Sequence, residues 1–174
     1  MTQPAEKRSA YIEVIPALIE QEPIFANLLE LYAHDFSDFY DLELAANGRF
    51  GYSDLPLYWS EPHRHPFLVW MDGKLIGFVL VKQGSEVSDE TAIWDMAEFF
   101  VIRRYRRRGI GTQVAHNVWK RFPGSWEVHV MGANVPANHF WSRAISTFVG
   151  SAIRPVSIEK DGKSWDLFTF QYLE

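Results

Sequence analysis

Five arginines lie within the segment from Arg103 to Arg108, and Gly109 and Gly111 follow them at once. Glycine lets the backbone come close to a ligand and accepts a positive φ angle. If a helix begins at these glycines, its first amide groups and its dipole favour an anion there, as the arginines do. The spacing therefore predicts a site for a diphosphate group, although a solvated basic run before an ordinary helix has the same pattern.

Two other nucleotide-binding motifs are excluded by the positions of the glycines. The dinucleotide fingerprint needs a third glycine where this chain has Val114, and it lies near the start of a βαβ unit. The Gly-Lys-Ser sequence from Gly162 to Ser164 imitates the end of a P-loop, but Ser157 stands where that motif needs its leading glycine. Neither motif explains the arginine-rich segment.

The arginine-rich segment is predicted to join a strand to a helix within an α/β fold. Asp-Gly pairs at 72–73 and 161–162 predict hairpins, which require antiparallel neighbours, whereas a helical crossover requires a parallel one. The sheet is therefore expected to be mixed. Apolar periodicity predicts strands at 11–15, 67–71, 75–81, 93–102 and 126–131, a last hairpin at 156–172, helices at 25–36, 109–122 and 137–148, and a long loop at 45–66.

The composition is that of a globular protein with its own core. Hydrophobic residues make up 47% of the chain, and the absence of cysteine excludes disulfides, zinc–thiolate sites and cysteine nucleophiles. We expect one domain over 11–174 after a flexible segment at 1–10. The net charge of −5 argues against a nucleic-acid partner, and with no predicted signal peptide or membrane span we expect a cytoplasmic protein without a membrane partner.

Two motifs resemble those of a known enzyme family. Arg106-x-x-Gly109-x-Gly111, after an apolar strand that contains Val101, resembles the acetyl-CoA signature of the GNAT (general control non-repressible-related) N-acetyltransferase superfamily. The order of predicted elements is also similar to that family over nearly the whole chain. The resemblance implies a mixed, mostly antiparallel central sheet with splayed central strands, flanked by helices.

A second motif lies downstream. Asn134-x-x-Ala137-x-x-x-Trp141 is similar to the Asn-x-x-Ala-x-x-x-Tyr pattern at the start of a later helix in the family. Many members use that tyrosine to protonate the leaving thiolate. An indole N–H donates a hydrogen bond but is no practical acid, so Trp141 leaves the proton donor unassigned. The same departure is the argument for an alternative function, a non-catalytic acetyl-CoA-binding sensor or structural protein.

The resemblance implies direct transfer of an acetyl group from acetyl-CoA to a primary amine of a small molecule or peptide. The thioester would lie in the gap between the splayed strands, where the backbone of Phe99 and Val101 would pair with the pantetheine arm and Asn134 would approach it from the neighbouring strand. The other cofactor contacts that we expect are those of Arg106, Arg107, Arg108, Gly109, Ile110, Gly111, Thr112 and Ala137.

Glu98 is the leading candidate for a general base. Direct transfer needs an uncharged amine, because an ammonium group has no lone pair, and a carboxylate can remove the proton. Glu98 lies in an otherwise apolar strand, where burial would raise its pKa towards a useful value. A strand-end carboxylate paired with an arginine is the structural alternative, and Asp95 is a second candidate base farther from the thioester.

The acceptor site is the least defined part of the sequence. We expect its lining at the end of the first long helix and in the long loop, from Tyr32, Asp35, Tyr58, Trp59 and His65. His63-x-His65 has weak metal-ligand spacing without a third ligand, so no metal is expected. The chain is expected to be a monomer or a homodimer.

Overall fold

The computed structural model describes residues 10–173, so the segment predicted as flexible at 1–10 lies outside the described residues except for Ala10. Short 3-10 turns precede the first and third α-helices at Ile19–Gln21 and Arg103–Tyr105. In chain order the elements are β1 (Ile12–Pro16), α1 (Glu22–Phe36), α2 (Leu57–Ser60), β2 (Arg64–Met71), β3 (Lys74–Gln83), β4 (Trp94–Val101), α3 (Ile110–Trp119), β5 (Gly124–Met131), α4 (Val135–Val149), β6 (Val156–Lys160) and β7 (Lys163–Tyr172).

The seven strands form one sheet in the order β1-β2-β3-β4-β5-β7-β6. Neighbouring strands are antiparallel except β4 and β5, which are parallel and joined by the crossover through α3. Asp72 and Asp161 take positive φ angles in the tight turns that join β2 to β3 and β6 to β7. The predicted mixed, mostly antiparallel sheet is therefore confirmed.

The parallel pair separates soon after it begins, and we call this opening the fork. β4 and β5 pair only at Trp94 with Trp126 and at Asp95 with Glu127, although both strands continue beyond. On its other edge β4 carries an irregularity against β3, where the segment from Asp95 to Glu98 has one residue more than the stretch of β3 that it opposes. The bulge therefore lies beside the point where the strands part.

Helices cover both faces of the sheet, and each buries an apolar stripe. On one face α3 and α4 contribute Val114, Val118 and Ile145, all fully buried. On the other face α1 packs Phe25 against Phe78 of β3. Each such side chain stabilises the fold by roughly 1.5–3 kcal/mol through burial. Between residues 10 and 173, none of the helices has the length and apolar character needed to cross a membrane.

The segment predicted as a loop at 45–66 is partly regular. It contains the single turn α2, and β2 begins at Arg64, before the predicted start at Phe67. The Gly, Pro, aromatic and His content of the segment predicts a loop, and Pro66 lacks the N–H that a strand donates to its neighbour. Here its carbonyl accepts a hydrogen bond from the Ala17 amide at 2.9 Å, and the strand continues through it.

Candidate active site

The segment between β4 and α3 brings a strained turn to the N-terminus of a helix. Arg107 adopts a φ angle of 62° and Gly109, the N-cap of α3, a φ angle of 73°, both in the left-handed region. Aspartate tolerates such an angle, as Asp72 and Asp161 do in the hairpin turns, but a long side chain such as that of Arg107 seldom adopts it. The first amides of an α-helix have no acceptor within the helix, so those of Ile110, Gly111 and Thr112 are available to a ligand at this end.

Two of the five arginines are held by α1. Asp35 pairs with Nη2 of Arg103 and with Nη2 of Arg106, each at 2.6 Å. Arg106 also donates from Nε to the carbonyl of Val101 at 2.6 Å. Partial burial raises the pKa of Asp35, but the hydrogen bonds from the two guanidinium groups outweigh it and hold the pKa below its usual value. The other three arginines of the segment, Arg104, Arg107 and Arg108, are exposed to solvent.

Several residues predicted for the cofactor lie together where α3 meets α4. A Cβ at Gly111 would stand 3.0 Å from the ring of Phe140, so a larger residue would require that ring to shift by a few tenths of an ångström. Phe99 of β4 packs on the same ring with the centroids 5.8 Å apart. Asn134 caps α4, because its Oδ1 accepts the amide of Ala137 at 3.1 Å. The second motif thus has a structural role that needs no ligand.

Trp141 is part of the core beside the fork. Its side chain is 7% exposed and meets Phe99 edge to face at a centroid distance of 4.9 Å. Trp119 lies on another side at 6.1 Å. The tyrosine position of the second motif therefore carries a packed indole rather than an acid.

Glu98 faces the opposite side of the sheet, towards α1. Its Oε1 accepts a hydrogen bond from the hydroxyl of Tyr52 at 3.0 Å, and the hydroxyl of Tyr32 lies close by. Burial raises the pKa of Glu98 to about 7, although hydrogen bonding to the two tyrosines lowers it. Within residues 10–173 no arginine forms an ion pair with Glu98, so the structural alternative of a strand-end salt bridge is not observed.

A cavity of about 420 Å³ opens in front of Glu98. It is bounded by α1, by the loop between α1 and α2, and by strands β3, β4, β5, β6 and β7 on the face of the sheet that α1 covers. Its charged lining consists of Glu43, Asp54, Lys82, Glu86, Asp95, Glu98, His129 and Lys160. Its aromatic lining consists of Tyr32, Phe36, Phe50, Tyr52 and Trp165.

A buried polar cluster lies at the closed end of the fork. Asp95 is 2% exposed, with Oδ1 3.4 Å from Nδ1 of His129 and Oδ2 3.8 Å from Nζ of Lys82. Glu127, 4% exposed, accepts the Ser85 hydroxyl at 3.0 Å and lies 3.7 Å from Nε2 of His129. Burial raises the pKa of Glu127. Three members of the cluster, Lys82, Asp95 and His129, line the cavity.

The loop that carries Tyr52 is anchored on α1 by Glu30. The carboxylate accepts the amide of Phe50 at 2.8 Å and the amide of Gly51 at 3.0 Å. Arg49 adds an ion pair at 3.3 Å. Because Tyr52 follows directly, Glu30 fixes the segment that presents a hydroxyl to the candidate base.

Of the residues predicted for the acceptor site, Tyr32 lines the cavity and four do not: Asp35, Tyr58, Trp59 and His65. Asp35 instead pairs with the arginines. Trp59 donates its indole N–H to the carbonyl of Ala17 at 3.0 Å. His65 packs on the ring of Phe122 at 4.8 Å, on the opposite face of the sheet. Tyr58 is 2% exposed and belongs to the core under α1.

Sequence reasoning missed most of the lining of this cavity, including Tyr52, His129 and the carboxylates Glu43 and Asp54. Tyr52 lies in an irregular loop, where its type and spacing carry no signal. His129 was detectable in principle, because Glu127 and His129 occupy alternate positions of the otherwise apolar strand β5 and must share a face. Asp95, the second candidate base, also lines the cavity.

Comparison with known proteins gives the family. The sequence matches the acetyltransferase (GNAT) family over residues 25–145. The comparison with curated proteins found no match. The chain belongs to the acetyltransferase (GNAT) family, as its two motifs predicted.

Solved structures of low sequence identity share the fold. An acetyltransferase from Thermus thermophilus is 18% identical, with a TM-score of 0.64 over 92% of this chain and 96% of that one. NAA60 of Arabidopsis thaliana, solved with a bisubstrate analogue, is 19% identical, with a TM-score of 0.60 over 92% and 98%. The PaiA N-acetyltransferase of Thermoplasma acidophilum, solved with coenzyme A, is 15% identical, with a TM-score of 0.62 over 93% and 99%.

Proposed function

We propose that this member of the acetyltransferase (GNAT) family transfers the acetyl group of acetyl-CoA directly to a primary amine, with Glu98 as the general base. The observation that carries the proposal is the setting of Glu98. It is a carboxylate with a pKa of about 7, it faces a cavity, and it lies on the strand that borders the fork. A base with a pKa near the working pH combines a useful ionised fraction with useful proton affinity.

Acetyl-CoA would bind at the fork from the face of the sheet that α3 and α4 cover. Its pyrophosphate would accept hydrogen bonds from the first amides of α3, with the exposed side chains of Arg107 and Arg108 nearby. Arg106 stabilises the turn through its hydrogen bonds to Asp35 and to the carbonyl of Val101. The pantetheine arm of acetyl-CoA would lie along the edge of β4 that β5 leaves unpaired beyond Asp95. The Thermoplasma relative, solved with coenzyme A, supports this choice of ligand.

The acceptor amine would enter from the cavity and lose a proton to Glu98. Its nitrogen would then attack the thioester carbon, and the carbon–sulfur bond would break to release the thiolate. A thiol with an ordinary pKa of about 8.5 is a tolerable leaving group near neutral pH, so no acid is needed at Trp141. The nitrogen would lose its second proton as the amide forms, and that proton would pass through solvent to the thiolate.

Thiol release measured with a panel of primary amines tests the proposal. We expect release that depends on both acetyl-CoA and the amine, with a product heavier by one acetyl group in mass spectrometry. Acetyl-CoA that binds but is consumed with none of the amines would reject the proposal.

The packed indole of Trp141 favours a second candidate function, a protein that binds acetyl-CoA without turning it over. Glu98 separates the two candidates. A sensor has no need for an ionisable carboxylate in a cavity at the fork, where burial penalises its charge. Saturable acetyl-CoA binding in calorimetry, combined with no acetylated amine, is the result expected of the sensor.

A further inference from the structure

The carboxylates of the cavity differ in whether a cation neutralises them. Glu86 contacts Nζ of Lys82 and pairs with Nζ of Lys160 at 2.7 Å, so the lysines of the cavity are already engaged. Glu43 and Asp54 are exposed at the rim and form no ion pair with any residue of the described range 10–173. The rim therefore holds two negative charges without a protein partner.

A buried acceptor on the cavity wall also lacks a donor. Asp95 is 2% exposed, and its Oδ1 receives no hydrogen bond from the residues that the structure describes. The nearest nitrogen to that oxygen among its ion-pair partners, Nδ1 of His129, lies 3.4 Å away. A buried carboxylate oxygen normally has a hydrogen-bond partner, so this wall of the cavity favours a ligand that carries N–H donors.

Aromatic rings complete the lining. Tyr32 and Phe36 stack with their centroids 5.8 Å apart, and Phe50 and Tyr52 come from the loop anchored by Glu30. Such a wall accommodates a methylene chain, and its ring faces also attract cations. An apolar amine with no second charged group would pack on the rings but would leave the rim carboxylates without a counter-charge.

We propose that the acceptor is an aliphatic diamine or polyamine, a deepening that rests on the proposed function. The nitrogen to be acetylated lies at Glu98 with its N–H groups near Asp95, and the second ammonium group lies at the rim with Glu43 and Asp54. The first nitrogen gives one proton to Glu98 and attacks the acetyl carbon; the carbon–sulfur bond then breaks, and the second proton that the nitrogen loses passes through solvent to the thiolate. The second ammonium stays protonated throughout and serves only to hold and orient the chain.

The direct test compares 1,4-diaminobutane with n-pentylamine, in which a methyl group replaces the second ammonium. Because ion pairs with exposed carboxylates are weak, two of them predict a kcat/KM roughly 2- to 30-fold higher for the diamine. The advantage should shrink as salt rises, because the rim charges are exposed. Equal kcat/KM values for the two amines, or a better neutral peptide acceptor, would overturn the proposal.

Removal of both rim carboxylates in one variant tests where the second ammonium group binds. In the combined variant Glu43→Gln with Asp54→Asn, we expect the ratio of the two kcat/KM values to fall to about one. Glu159→Gln removes an exposed carboxylate that does not line the cavity, and it should leave the ratio as it is. An unchanged ratio in the combined variant would contradict this site.

Calorimetry keeps the two proposals separable. If no amine is acetylated, the proposed function fails, and titration of both amines into protein saturated with coenzyme A still tests the site. Tighter binding of 1,4-diaminobutane than of n-pentylamine, lost in the combined variant, would support a diamine site without catalysis. Equal or absent binding of both amines would remove the diamine site as well.

Discussion

The two sides of the fork are built in different ways. The turn before α3 is one uninterrupted segment, from Arg103 to Thr112, whose strained backbone and helix start lie next to each other in the chain. The cavity on the other side is assembled from α1, the loop that carries Tyr52, and five strands. The difference teaches that the cofactor side depends on local backbone geometry, whereas the acceptor side depends on contacts between distant segments.

The largest effect is expected from Glu98→Gln, which separates the two sides by function. The amide cannot take a proton, so kcat should fall by about 10²- to 10⁴-fold, the usual contribution of general-base catalysis. Acetyl-CoA affinity, measured by calorimetry, should stay at the parent value because the cofactor side is untouched. If acetyl-CoA affinity fell as much as kcat, Glu98 would contribute to cofactor binding, and the two sides of the fork would not be separable by function.

Thermal unfolding at two pH values controls for damage to the fold. Burial raises the pKa of Glu98 from its ordinary value of 4.5 to about 7, so the folded parent binds a proton more tightly than the unfolded chain. The free energy of unfolding of the parent therefore falls as the pH rises from about 4.5 to 7. Glu98→Gln has no such loss. The Tm of the variant relative to the parent should therefore be higher at pH 8 than at pH 5.

A smaller effect is expected from Gly109→Ala, which strains the cofactor side alone. A left-handed residue with a Cβ costs about 1–2 kcal/mol, so relaxation of the turn should weaken acetyl-CoA binding roughly tenfold. Gly162→Ala is the matched control, with a φ angle of 69° in the turn between β6 and β7 and open space around its added Cβ. If both variants kept the parent affinity, the turn would not be the pyrophosphate site.

Tyr52→Phe is expected to shift the pH dependence of the acceptor side. The lost hydrogen bond favours the ionised form of Glu98, so its removal should raise the pKa of Glu98 by about one unit. The rate should fall several-fold at pH 6.5 and only slightly at pH 8.5. Tyr40→Phe, which changes a tyrosine outside the cavity, should leave the pH–rate profile unchanged. A parent-like profile for Tyr52→Phe would mean that Tyr52 does not influence the pKa of Glu98.

The smallest effect is expected from Glu30→Gln, which loosens the loop without touching the cavity. Glutamine keeps one acceptor oxygen but loses the ion pair with Arg49 and one of the two strong amide contacts. Steady-state kinetics should show a few-fold rise in the KM of the amine and no change in the KM of acetyl-CoA. A change confined to acetyl-CoA would mean that the loop serves the other side of the fork.

The same difference explains what could be predicted from sequence. The contiguous arginine–glycine segment, Glu98 within an apolar strand and the order of the elements were all readable, because each depends on neighbours in the chain. Asp35 was assigned to the acceptor because it ends α1, whereas its partners Arg103 and Arg106 are 68 and 71 residues away. Tyr52 and Glu98 are likewise 46 residues apart, and only the fold brings them together.

The pH dependence of kcat at saturating acetyl-CoA and amine, measured for the parent and for Glu98→Gln, tests the central claim most directly. Because the base must be ionised, the parent rate should fall as pH drops, with a midpoint near the pKa of about 7. The variant should lack that inflection. Parallel profiles with the same midpoint in both proteins would contradict the role of Glu98 as the base.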